Sequence, residues 1–270
     1  MSDFKLKMGV NNCTNNEYHG DKNFLSSSNL KLLLTDVEKF KHEILDGNRE
    51  NIQKNAFDEG NYAHSLILEP QNIPEEYAFF DGFRKAGAVW KTFKEDNQGK
   101  IILSKPQKHR VEQWVKAYEQ RSCAKNLISG GLPEHSIAGI IDGVNIKVRA
   151  DYINIDKGYI ADVKTTSYGS DVDSFKMVIE NLKYDLSAAL YCKLFSQFYG
   201  KPFKFYFIVL GKKDKMCEVY LASQDTMVKG NIMVKKALDI YKQCKETGIW
   251  TNKDKSDNIV LDEDYEILEV

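Results

Sequence analysis

The sequence predicts an α/β protein in which helices cover a mixed central sheet. Three observations predict it. Residues 132–166 hold three β-prone runs in close succession, two of them joined by a tight Asp156-Lys157-Gly158 turn. Phe203 to Leu210, FKFYFIVL, is a further apolar run with the length and composition of a central strand. Around these runs lie stretches whose apolar residues recur every three to four positions, the period of a helix with one buried face. The order is helices, three strands, a helix, two strands and a helix.

Composition allows this. The chain has 270 residues, 42% hydrophobic and 29% charged, enough for one large core or two smaller ones. No linker is long enough to divide it, so residues 1–270 read as a single domain. Within it, 1–16 read as a flexible polar tail, 17–130 as mainly helical, 131–250 as the strand-bearing core and 251–270 as an acidic tail. The net charge of −1 gives no global basic signature, so a surface for a polyanion has to be a local patch. Five cysteines (13, 123, 192, 217 and 244) form no C-x-x-C pair and are odd in number. The expectation is a reducing, cytoplasmic compartment with no zinc site, disulfide framework or iron–sulfur cluster. No stretch approaches the ~20 apolar residues of a membrane span, and no apolar signal core opens the chain.

Taken in order, Ser26 to Ser28 cap a first helix from Asn29 to about Leu45, with Leu30, Leu33, Leu34, Val37, Phe40 and Ile44 on one face. A second helix, Ala56 to Glu69, is stopped by Pro70; Phe57, Tyr62, Leu66 and Ile67 form its apolar face, and Gly60 and His64 share another. Glu75 to Phe80 reads as a short strand. The next stretch interleaves Arg84, Lys85, Lys91 and Lys94 with Phe83, Trp90 and Phe93. It either tracks a nucleic-acid backbone or is an amphipathic element with lysine stems along an apolar face. Ser104 caps a helix to about Ser122, with Pro106 in its first turn and Val111, Trp114, Val115 and Tyr118 buried.

Leu132 to Ile141 is the first core strand, with Glu134 near its start. The second sends Ile146, Val148, Ala150, Tyr152 and Asn154 to one face and Lys147, Arg149, Asp151, Ile153 and Ile155 to the other. A turn about Asp156 and Lys157 brings Asp151 opposite Asp162 on the third strand, with Lys164 on the Asp162 face. Asp171 to Gly200 is a long helix with a break near Asn181. Cys217 to Ala222 pairs antiparallel with the Phe203–Leu210 strand, and Thr226 to Thr247 is the last helix.

Two facing carboxylates repel, and one tends to take up a proton. A hard divalent cation removes that conflict, and oxygen ligation suits Mg²⁺ or Mn²⁺. Lys164 would hold or deprotonate an attacking water, and Arg149 would grip a phosphate with its planar fork. Such a set suits phosphodiester hydrolysis. A D-x-K on a strand also arises as a solvated face or a surface ion pair, so the longer pattern has to decide.

That pattern, Arg149-x-Asp151 followed by Asp162-Val163-Lys164-Thr165-Thr166, resembles the PD-(D/E)XK nuclease core, and more narrowly its RecE-type (exodeoxyribonuclease VIII) branch. GNYAHSLILEP over 60–70 resembles that branch's helix whose histidine reaches the metal, which implies a role for His64. Glu134 is similarly implied near the metals, an ordinary edge carboxylate being the equal alternative. In the mechanism read from these residues, the Val163 carbonyl would add a further ligand. YDLSAALY over 184–191 resembles the branch's YD-x-Q-x-A-x-Y motif, with Ser187 where glutamine is expected. Tyr184 and Tyr191 stay as candidate DNA-facing hydroxyls, or simply as core. The implied protein is a Mg²⁺-dependent exonuclease, Mn²⁺ being possible, that degrades linear double-stranded DNA 5′ to 3′. It would leave 3′ strands for an annealing protein, act as a ring-shaped trimer or tetramer, and come from a phage or prophage. The alternatives are an endonuclease of the same fold, restriction or Cas4-like, and a catalytically decayed DNA-binding module.

Overall fold

The computed structural model describes residues 5–49, 55–82 and 84–252. In chain order the elements are β1 (Gly9–Asn11), α1 (Asn15–Gly20), α2 (Ser27–Thr35), α3 (Val37–Phe40), α4 (Asn55–Leu68), α5 (Ile73–Glu76), β2 (Tyr77–Phe80), α6 (Gly87–Asp96), β3 (Ile101–Ser104), α7 (Lys105–Gln120) and α8 (Ser122–Leu127). Then follow β4 (Leu132–Ile141), β5 (Val144–Asn154), β6 (Tyr159–Thr166), α9 (Val172–Leu182), α10 (Tyr184–Tyr199), β7 (Lys204–Gly211), β8 (Cys217–Leu221) and α11 (Gln224–Thr247). Six strands form one mixed sheet in the order β1-β4-β5-β6-β7-β8, antiparallel except for the parallel pair β6–β7. That parallel pair needs a crossover, and α9 with α10 supplies it. β2 and β3 make a separate parallel pair.

Each face of the sheet buries its own core. On one, Ile137, Ile146, Val148, Ile160, Phe205 and Phe207 pack with Leu30 and Leu33 of α2, Phe175 of α9, Leu190 of α10 and Leu238 of α11. On the other, Ala161, Val163, Ile208 and Leu210 pack with Tyr62 and Ala63 of α4 and with Val111 and Trp114 of α7. Burial on both faces explains why β6 and β7 read as nearly continuous apolar runs.

Local sequence accounts for the turns. Asp142 and Gly143, both at positive φ (49° and 81°), close β4 onto β5 in two residues. The β5–β6 turn uses Gly158 at φ 65°, and Asn154 Oδ1 accepts the Lys157 N–H across it. Capping boxes start α2 (Ser26 with Asn29) and α7 (Ser104 with Gln107).

Several expectations need correction. The tail expected over 1–16 includes β1, hydrogen-bonded to β4, and the start of α1, capped by Thr14 with Glu17. Lys147, buried at 3% exposure, holds this segment by donating to the Tyr18 and Asp21 carbonyls. The first helix is broken at Asp36 (φ −158°), whose carboxylate then caps α3, and a π turn runs over Lys41–Leu45. Of the strand expected over Glu75–Phe80, Glu75 and Glu76 end a short helix and Tyr77–Phe80 form β2, and β3 was not foreseen. The long helix divides at Lys183, in the left-handed region. The side chains of Phe57 and Phe83, and the acidic tail from 253 onward, lie outside the described residues.

The correction that matters most is in β5. Alternation does not run through it: Ile153 joins Ile146, Val148 and Ala150 in one core, while Tyr152 joins the other. The β4–β5 ladder pairs Pro133 with Tyr152 and His135 with Ala150 but skips Glu134 and Asp151 between them. Glu134 sits there at φ 48°. The strand therefore rolls by one position where its carboxylate projects, as at other irregularities that re-aim a side chain.

Candidate metal centre

The site forms where β5 and β6 part. Their ladder has the expected register but ends at Tyr152↔Ala161, one step short of Asp151 and Asp162. Beyond it, Asp151 Oδ2 accepts the Val163 N–H at 2.8 Å, so a carboxylate replaces the neighbouring strand. Farther along, Leu25 takes the edge of β5 that β6 has left, bonding through Asn145 O and Lys147 N. The wedge between the strands is thus lined by backbone on one side and carboxylates on the other.

Four side chains converge on the wedge. His64, from α4, places Nδ1 3.4 Å from Asp151 Oδ2. One ligand atom each from His64, Glu134 and Asp151 lies within 4.8 Å of the others. Asp162 is outside that trio. Its Oδ2 is buried and lies 2.5 Å from Lys164 Nζ, an ion pair that is its close polar contact among the described residues. Lys164 Nζ also reaches the Val163 carbonyl at 3.4 Å.

The electrostatics are those of a site short of positive charge. Burial, then the Asp151 charge, pushes Glu134 up to about 7, against the pull of Arg149. Burial likewise raises Asp162, opposed by Lys164 and reinforced by Asp151. Burial lowers Lys164, but Asp162 and Asp151 outweigh it and hold the ammonium charged. A divalent cation fits these residues. The donors are carboxylate oxygens and one imidazole, with a further buried carboxylate, Asp162, beside them.

Two openings meet here. A cleft of about 910 Å³ is lined by His64, Glu134, Arg149, Asp151 and Tyr191 together with Glu17, Glu69, Glu75 and Glu76. A cavity of about 450 Å³ on the other side is lined by His64, Asp162, Val163, Lys164, Tyr184, Ser187 and Tyr191. Each candidate catalytic, metal or DNA-facing residue from His64 to Tyr191 therefore borders one opening or the other, whereas the basic–aromatic residues from Arg84 to Lys94 line neither. Their roles differ. Arg149 is spent on Glu134, at 2.5 Å, and on the Cys13 carbonyl, at 3.0 Å. Tyr184 stacks on Phe207, and Lys164 lies 5.3 Å from its ring centroid. Tyr191 is raised by burial and packs edge-on to Phe205.

Sequence reasoning missed Lys31, Asn61 and Lys212, which also line the smaller cavity. Lys31 sits on an amphipathic helix beside Leu30, in the Ser26-x-Ser28-x-Leu30-Lys31 stretch that resembles the opening of the RecE-type branch but by itself assigns the lysine no role. The Glu134 backbone strain was equally invisible in the residues.

The sequence matches the profile of a PDDEXK-like domain of unknown function (DUF3799) over residues 26–259. A candidate exonuclease from Eubacterium rectale, known by its crystal structure, is similar in fold with TM-score 0.66 at 18% identity, over 88% of each chain. A phage-related exonuclease from Haemophilus somnus 129PT aligns over 84% of this chain and 96% of its own, at 10% identity and TM-score 0.36. No curated protein matches. With the profile spanning most of the chain and the sheet opening on a cluster of carboxylates, the protein belongs to this PDDEXK-like family and has a nuclease-type α/β fold.

Proposed function

We propose that the chain is a metal-dependent deoxyribonuclease of RecE type, with residues 1–270 as one catalytic domain. The observation that carries the reading is the His64, Glu134 and Asp151 cluster, with the buried Asp162–Lys164 pair beside it, at the parting of two strands. In this reading Asp151, Asp162, His64 and Glu134 hold Mg²⁺ or Mn²⁺, with the Val163 carbonyl as a further donor. A cation bound there supplies charge neutralisation at the scissile phosphate and acidity for the attacking water. Lys164 orients that water and holds the charge of Asp162. Arg149 holds Glu134 in place rather than gripping the phosphate itself.

The resemblance of the motifs to the RecE-type branch supports an activity on linear double-stranded DNA, from an end, 5′ to 3′, leaving 3′ strands for an annealing protein. They also support a ring-shaped trimer or tetramer, a cytoplasmic setting and a phage or prophage origin. One observation favours a second reading, a DNA-binding module without activity: Ser187 gives the smaller cavity only a short hydroxyl where the motif has an amide. Incubation of an end-labelled duplex with Mg²⁺ or Mn²⁺ separates the two. Release of mononucleotides by the wild type supports the nuclease, and binding without release supports the module.

A further inference from the structure

The two openings differ in sign. Besides Glu134 and Asp151, the larger one presents Glu17, Glu69, Glu75 and Glu76. The smaller one presents Lys31, Lys164 and Lys212, with the hydroxyls of Ser27, Thr165 and Ser187 and a single carboxylate, Asp162. One of these lysines is ion-paired: Lys164, with Asp162 at 2.5 Å. Lys212 Nζ lies 5.0 Å from the ring centroid of Trp114 in the core, and Lys31 Nζ lies 4.8 Å from that of Tyr184, which itself lines this cavity. Among the described residues no carboxylate comes within ion-pair distance of Lys31 or Lys212.

Resting on the nuclease reading, we propose that the smaller cavity is the entry for the phosphate backbone of the strand to be cut, and that Lys31 holds the phosphate next to the scissile one. The acidic cleft would then be the side from which cations arrive. An ammonium held in a half-closed cavity beside another ammonium is costly without an anion. Burial, followed by the charge of Lys164, lowers Lys31 to about 7. A phosphodiester oxygen restores its charge through a charge-assisted hydrogen bond, and the neighbouring hydroxyls offer donors to the remaining oxygens. The larger cleft cannot take this part, because its carboxylates repel a polyanion.

The test is binding without metal. A fluorescently labelled short duplex with a single-stranded end is titrated with the full chain in chelator, by anisotropy, at several salt concentrations. Lys31→Gln is expected to weaken binding about tenfold and to lower the salt slope by about one, as the loss of one phosphate contact does. Lys31→Arg is expected to retain both, and Lys236→Gln, the same charge change on the exposed side of α11, to leave both unchanged. Equal affinity and slope for Lys31→Gln and wild type overturn the proposal, as does failure of the wild type to bind at low salt. Failure of the wild type to release nucleotides with Mg²⁺ or Mn²⁺ overturns the nuclease reading alone, since the metal-free comparison does not depend on it.

Discussion

At the scale of single residues, the account turns on charges that cannot all be satisfied by the protein. Lys164→Ala leaves Asp162 buried without its counter-charge. It should cost about 3 kcal/mol, read as a lower midpoint in urea, with Asp162→Asn/Lys164→Ala recovering most of it. Glu134 makes a pH prediction. Its folded value of about 7 lies above the ordinary 4.5, so the protonated acid favours the fold. That stability is present below about 4.5 and is lost as pH rises through about 7. A cation needs the carboxylate, so the Tm gain from millimolar Mn²⁺ should be several degrees larger at about pH 8 than at about pH 5. Glu134→Gln should flatten that difference, and an equal gain at both pH values in the wild type would contradict the role given to Glu134. The sequence showed Asp151, Asp162, Lys164 and His64 as residues worth placing together, because motif spacing on strands and helices translates directly into position. It could not show that Arg149 is spent on Glu134, since that depends on a backbone at φ 48°, nor that Lys31 reaches the site from a different helix.

At the scale of elements, the site depends on strands that separate on purpose. The wedge stays open because Asp151 takes the Val163 N–H and Leu25 takes the vacated edge of β5. The helices behind it must also come close. At Gly230 of α11, an added Cβ would be driven into the Asp185 carbonyl and against Ala189 of α10. Gly230→Ala should therefore cost about 1–3 kcal/mol and lower Tm by several degrees, whereas Gly99→Ala, with open space around it but φ 85°, should cost only backbone strain. Helix caps and strand runs were legible because Ser104, Pro106 and FKFYFIVL act within a few residues of themselves. The break at Asp36 and strands β1 and β3 were not. Each is made by a partner far along the chain: Asn252 on Asp36, β4 on β1 and β2 on β3.

At the scale of the whole molecule, the two openings that share His64 and Tyr191 differ in sign, carboxylates predominating in one and lysines in the other. Among the described residues no helix is long and apolar enough to cross a membrane. If the chain works from DNA ends, a covalently closed circular plasmid should survive under conditions that consume the linear form, and nicking of the circle would point to an endonuclease instead. Gel filtration should show a trimer or tetramer, and a monomer at working concentration would remove the ring. The central claim is that the parted strands hold a cation that cuts phosphodiesters. It is tested most directly by nucleotide release from an end-labelled linear duplex with Mn²⁺, wild type against Asp162→Asn, with Tm measured on both proteins. The account predicts release by the wild type and a loss of at least ~1,000-fold in the variant, with a metal-free Tm that shows the variant still folded at the assay temperature. Equal release by the two proteins would contradict it.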